Sequence, residues 1–186
     1  EPLGSHWEFT QSGGYTEFSP DRNMITRQGL ENGLYLGGRF GWHHERWLGL
    51  EVAGGFTPTK DIAPASVDLD FFHASGNIML HPIHASWGWP YAFGGAGYSH
   101  LKYSGGGPKE RQGNAEAGGG LQIWMNDAIG LRFEARDIMW LPEKIVANPL
   151  SHDWAYGGGL TFALGARPRD TDGDGVPDRI DTCPST

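Results

Sequence analysis

The feature that most constrains this chain is a period-two alternation of apolar and polar residues, repeated along its length in segments of about ten residues and broken by turn chemistry. Helical periodicity is hard to find. The clearest segment is about 128–140, where Ile129, Leu131, Phe133 and Ala135 alternate with Arg132, Glu134 and Arg136. Trp7, Phe9, Gly13 and Tyr15 share a face over about 6–15. Over about 34–42, Leu34, Leu36, Phe40 and Trp42 oppose Tyr35 and Arg39; over about 47–56, Leu48, Leu50, Val52 and Phe56 oppose Glu51 and Ala53. Phe72, Ala74, Ile78 and Leu80 oppose His73, Ser75 and Asn77 over about 67–80. The next segment, about 90–101, reads PYAFGGAGYSHL and opens on a proline, which a strand tolerates at its first residue. Over about 115–125, Ala117, Leu121, Ile123 and Met125 oppose Glu116, Gln122 and Trp124. Over about 153–164, Trp154, Tyr156, Leu160, Phe162 and Leu164 oppose Gly157, Gly159 and Thr161. The pattern predicts eight strands and an all-β fold.

Which face lies inside decides the class. The polar faces carry Arg39, Glu51, Glu116, Arg132, Glu134 and Arg136, whose charges balance, while the apolar faces are nearly free of charge. About ten residues is the length a tilted strand needs to cross a bilayer. Lipid cannot satisfy an open sheet edge, so β-structure that spans must close, and eight strands is the smallest common closed number. The expectation is an eight-stranded antiparallel up-and-down transmembrane β-barrel over 1–166, apolar outside and charged within, followed by a short irregular acidic tail over 167–186. The links HHER (43–46), 81–89 and Asn126-Asp127 are short and fall at one end. Those near 16–33, 57–66, 102–114 and 141–152 are long and polar and fall at the other, an asymmetry of short periplasmic turns and longer external loops. Trp42, Trp47, Trp87, Trp89 and Trp124 cluster at the short-turn end, and Tyr98, Tyr103, Trp140 and Trp154, with Tyr15 and Phe56, at the other. They are expected as two membrane-interface aromatic girdles.

Composition removes the competing classes. No stretch of 18 uncharged apolar residues exists, so no transmembrane helix is expected. Aromatics at 12% supply too much apolar area for a disordered chain, and the 30 glycines show no three-residue period. A net charge of −8 argues against a nucleic-acid partner. A single cysteine, Cys183, cannot form an internal disulfide. The chain begins at Glu1 with neither Met nor a basic, apolar leader, as a mature exported chain does.

The segments GLYLGGRFGWHHERWLGLEVAGGF (33–56), YAFGGAGYS (91–99) and AEAGGGLQIWMNDAIGLRFEARD (115–137) resemble the eight-stranded barrel domain of OmpA-like outer-membrane proteins. That resemblance implies a monomeric barrel whose interior charges form a salt-bridged plug. After Gly165 the texture changes. DTDGDGVPDRID (170–181) fits a twelve-residue calcium loop, with Asp170, Asp172 and Asp174 at positions 1, 3 and 5, Gly175 at the sharp turn, the Val176 carbonyl at 7, Asp178 at 9 and Asp181 at 12. Asp181 stands where an EF-hand uses the longer Glu, and Pro177 and Pro184 oppose flanking helices. The segment resembles a thrombospondin type-3 repeat, and in OprF-type members of the OmpA-like family such repeats link the barrel to a periplasmic peptidoglycan-binding domain. Ca²⁺ is the one cofactor expected.

Several constellations invite chemistry. His73-Ala74-Ser75 places His and Ser on one face of a strand, and lipid A deacylase barrels carry a His-x-Ser of this kind; the pair falls on the interior face with no identifiable orienting acid, and reads as lumen filling. His43, His44, His81 and His84 gather in short turns and could suffice for zinc, but adjacent His43 and His44 point to opposite faces, and turn polarity is the better reading. Glu143, His152 and Asp153 lie in or beside one long link, where a protease site is the exotic alternative. The triple glycines at 105–107, 118–120 and 157–159 lead into no helix with Lys-Ser/Thr and so are not phosphate loops; close strand approach explains them. The expected role is structural and not enzymatic: anchorage in outer-membrane lipid, with a tether to peptidoglycan through a domain beyond Thr186. The alternatives are a barrel that holds partners in an envelope assembly, a small-solute porin and a lipid A-type hydrolase.

Overall fold

The computed structural model describes residues 5–19, 29–44, 47–62, 67–83, 85, 87–103, 109–141, 151–165 and 182. Eight strands run in chain order: β1 (His6–Glu17), β2 (Gly33–His44), β3 (Leu48–Lys60), β4 (Asp68–Leu80), β5 (Trp89–Tyr103), β6 (Lys109–Trp124), β7 (Ile129–Trp140) and β8 (Ser151–Leu164). Each pairs antiparallel with the next, and β8 closes on β1 through Trp7↔Leu164 to Glu17↔Trp154. The result is a closed barrel without a free sheet edge.

Alternation translates directly into two surfaces. Leu34, Leu36, Val52, Ile78, Phe133 and Leu160 stand exposed on the outer wall, while Thr10, Glu51, Asn114, Glu116, Gln122 and Arg132 are buried in the lumen. This polarity is the reverse of a water-soluble barrel, whose inward residues are the apolar ones. The triple glycines make room inside. A Cβ at Gly120 would lie 2.5 Å from the Tyr91 hydroxyl and 2.0 Å from the Phe133 carbonyl oxygen, and one at Gly118 would meet the Phe93 ring at 2.6 Å. The tips of the Tyr91 and Phe93 rings of β5 thus sit against the bare backbone of β6, and that of Tyr35 against Gly157 of β8. Residues 105–107 lie outside the described residues.

The short connections hold at one end, where Asn126 accepts hydrogen bonds from the Ala128 and Ile129 amides (2.9 and 2.8 Å) and closes the β6–β7 turn. At the opposite end the strands run farther than alternation suggests. β6 begins at Lys109 rather than near 115 and β3 continues to Lys60, so the links expected at 102–114 and 57–66 shrink to 104–108 and 61–67. Cross-strand hydrogen bonding continues past the apolar zone, with polar side chains on the extended ladder.

Candidate functional site

The lumen is stratified. At the short-turn end His6 stacks on His43 (ring centroids 5.4 Å apart), His43 meets His81 edge-on (5.4 Å), and Trp124 packs against both His6 and Trp89. Beneath them Glu8 meets His6 Nε2 at 2.8 Å and accepts both Gln122 contacts at 3.2 Å, while His43 Nε2 lies 3.3 Å away without hydrogen-bond geometry.

The middle layer is an ion-pair network. Arg39 bridges Glu51 (3.0 Å) and Glu134 (2.5 Å), and Arg132 bridges the same two carboxylates at 2.6 and 3.0 Å. Arg136 bridges Glu134 (2.6 Å) and Glu116 (3.4 Å). All six residues singled out from the alternation therefore join one connected cluster of zero net charge. Glu134 is its hub, touching every arginine and accepting the Tyr91 hydroxyl at 2.9 Å. Arg132 lies over the Tyr91 ring at 4.7 Å and also donates to its hydroxyl at 2.8 Å. Buried charges persist only when paired and hydrogen-bonded, and here each has at least two partners.

His73 and Ser75 reach the network through the acid that sequence alone did not identify. Glu116 receives His73 Nε2 at 2.8 Å and the Ser75 hydroxyl at 2.7 Å on its two oxygens. Ser75 thus points at a carboxylate rather than at the histidine, whose Nδ1 faces Ser99 at 3.1 Å. Ser75 therefore lacks the Ser–His contact of a histidine-activated nucleophile; its hydroxyl donates instead to a carboxylate that His73 and Arg136 also hold.

Above the network an apolar plug of Phe18, Leu30, Leu69, Phe71, Leu101, Tyr103 and Trp140 fills the long-link end. Trp140 donates to buried Asp153 at 2.6 Å, and Asp153 also accepts the Ser19 amide at 2.9 Å. Between plug and network lies a cavity of about 30 Å³ lined by Arg39, His73 and Arg136 among others. That is room for about two or three waters at roughly 10–15 Å³ each.

The girdle expectation needs correction. Trp47, Trp87, Tyr98 and Trp154 are exposed on the outer surface, and Trp42 is half-buried there against His44. Tyr103 and Trp140, however, are buried at 9% and 4% exposure inside the lumen, and Trp89 and Trp124 turn inward over the His cluster. They share the parity of Leu101, Ile138, Tyr91 and Gln122, so each strand's alternation carries them to the inner face, where they cap the two ends. The protease alternative also comes apart: His152 pairs outside with Asp137 (2.8 Å) while Asp153 points inward, and Glu143 lies outside the described residues. Among the described residues, no group of three His, Cys, Asp or Glu side chains is placed to hold a metal. His84 and the calcium-loop residues Asp170, Asp172, Asp174, Val176, Asp178 and Asp181 lie outside the described residues.

Glu8, His6, His43, Gln122 and Tyr91 belong to the interior polar system but were not among the six expected charges. Glu8 was within reach of parity, since it alternates with Trp7 and Phe9. Tyr91 was not, because its segment is too rich in Gly and Ala to betray an inner face.

A closed eight-stranded wall has known counterparts. The N-terminal β-barrel domain of Pseudomonas aeruginosa OprF superposes with a TM-score of 0.58 at 15% identity, covering 88% of this chain and 100% of that one. The outer membrane protein OprG from Pseudomonas aeruginosa gives 0.61 at 11% identity, over 88% and 99% of the two chains. Neisserial surface protein A gives 0.63 at 12% identity, over 87% and 99%. The fold is that of the small outer-membrane barrels. No family model matches the chain, and no curated protein matches it.

Proposed function

We propose that this chain is a non-conducting structural barrel of the bacterial outer membrane, which anchors its C-terminal tail at the periplasmic face. The observation that carries the reading is the inverted polarity of a closed barrel: an apolar outer wall around a lumen filled by balanced, mutually paired charges. Among the described residues the paired charges and the apolar plug occupy the lumen, which supports a scaffold over a pore. β8 ends at Leu164 on the short-turn end, so the tail departs from the side that periplasmic turns occupy. In this reading the chain divides near residue 166. The tail binds Ca²⁺ through its five aspartates, stiffens as their charge is neutralised, and serves as the spacer to a peptidoglycan attachment. The interface aromatics exposed on the outer wall set the depth of the barrel in the bilayer.

The test is fractionation of the native host envelope combined with gel migration of unheated and boiled samples. Recovery in the outer membrane with a heat-dependent mobility shift is expected. Solubility without detergent and a single mobility would refute the assignment and favour a soluble carrier. Co-sedimentation of the native protein with purified peptidoglycan tests the tether separately.

A further inference from the structure

The strand ends that outrun the apolar zone place basic residues directly opposite one another. On the outer wall at the long-link end, Lys102 of β5 is in register with Lys109 of β6, and His100 with Arg111. Lys102, Lys109 and Arg111 are all exposed, and Lys102 alternates with buried Leu101 and Tyr103, which fixes its outward direction. Cβ atoms of directly opposed residues lie about 4.5–5.5 Å apart, and like charges so placed destabilise a sheet. One acid faces the group from the adjacent strand: Asp70 of β4 is in register with Lys102. Asp68 is engaged by Lys60 at 3.6 Å. The patch therefore keeps a local positive excess on a chain whose net charge is −8.

Its depth matters as much as its sign. Nearer the membrane centre, Phe72 of β4 stands opposite His100 and packs on it at 6.4 Å, and exposed Tyr98 of β5 follows two residues deeper, both on the outer wall at the long-link end. Below them the wall turns smooth, with Ala74, Gly76, Gly94 and Ala96 outermost; no atom lies within 4 Å of where a Gly76 Cβ would sit. This surface opens into an apolar groove of about 880 Å³ that Ile78, Val52 and Phe40 border. Basic groups above an aromatic rung, above a smooth apolar trough, match a lipid with a phosphorylated head and several acyl chains.

We propose that Lys102, Lys109 and Arg111 form a binding site for the phosphate-bearing headgroup of an outer-leaflet glycolipid, whose acyl chains lie along the β4–β5 wall. The inference rests on the outer-membrane reading above. Phosphate bridging the opposed cations relieves the repulsion that the register imposes.

The test uses the full chain, folded in detergent and titrated with diphosphorylated lipid A or with phosphatidylcholine, with bound lipid counted by native mass spectrometry. Lipid A is expected to be retained in preference to phosphatidylcholine. Lys102→Gln/Lys109→Gln/Arg111→Gln should weaken that retention at least about tenfold, since each basic group near an anionic surface contributes roughly fivefold. Lys60→Gln, which lies on β3, should not change it. The heat-dependent gel shift checks that each variant is folded, and Lys102→Gln/Lys109→Gln replaces the triple variant if that one fails to fold. Equal retention of both lipids by a folded chain, or full retention by the folded variants, overturns the site alone. Displacement of lipid A by inorganic phosphate at matching concentration shows a free-phosphate site and overturns the lipid assignment. A chain that never enters micelles or bilayers overturns the membrane reading, and the lipid site falls with it.

Discussion

Glu134→Gln is the most informative single change, because this residue holds the lumen network together. Its carboxylate meets Arg39 at 2.5 Å, Arg136 at 2.6 Å and Arg132 at 3.0 Å, and accepts the Tyr91 hydroxyl at 2.9 Å. Glutamine has the same size but no charge, so three guanidinium groups would face only Glu51 and Glu116. It also turns an amide donor toward cations that need acceptors. Leaving a buried charge without compensation costs about 3–5 kcal/mol. Removing one cation as well, in Glu134→Gln/Arg136→Gln, restores balance, and roughly 1–3 kcal/mol should return as a favourable coupling. The assay is urea unfolding in lipid vesicles, followed by tryptophan emission and by the fraction that migrates as folded barrel on unheated gels. A single variant within about 0.5 kcal/mol of the parent would refute the reasoning. Such tolerance means that water solvates the arginines, and a hydrated lumen would return the solute channel to the front.

Planar-bilayer recordings of the parent protein should show no stable conductance, because the apolar plug and the ion pairs fill the lumen; steady single-channel steps would sink the sealed-barrel reading. Trp140→Phe removes the 2.6 Å donor to buried Asp153 and should cost about 1–3 kcal/mol in the same unfolding assay, from a carboxylate left short of a partner. Gly120→Ala drives a methyl group into the Phe133 carbonyl and the Tyr91 hydroxyl and should lose about 1–3 kcal/mol, whereas Gly76→Ala, with open space outside it, should stay within about 0.5 kcal/mol. If both alanines behave alike, the glycines of β6 are not there to admit the rings of β5. Calorimetric titration with Ca²⁺ should give binding that Asp170→Asn/Asp172→Asn abolishes while the barrel's heat-dependent gel shift is unchanged; heat uptake retained by that variant would dismiss the tail as the calcium site.

Much of this protein is legible one strand at a time. Alternation is a local property, enforced by the pleat, so the run from Ile129 to Arg136 already declares its lipid-type face and its charged face before any partner strand is known. Eight such runs, with short and long links alternating between them, leave little choice but an up-and-down closure. The same parity would have placed Glu8 in the lumen and Trp124, Tyr103 and Trp140 beside it; the expectation of aromatic girdles followed residue type and chain position instead, and there the outcome differed.

What alternation cannot contain is the pairing across the lumen. Arg39 and Glu134 are 95 positions apart, and Glu116 meets His73 and Ser75 from across β5. Those contacts depend on strand stagger and on how deep each side chain sits once the barrel has closed, which no segment encodes alone. The sequence by itself determined that the chain has an apolar outside and a balanced, charged inside, because the period of two is written in each strand. Only the tertiary structure decided that the six inner charges form one connected network, because packing eight inner faces into one narrow cylinder brings each of them within reach of its opposites.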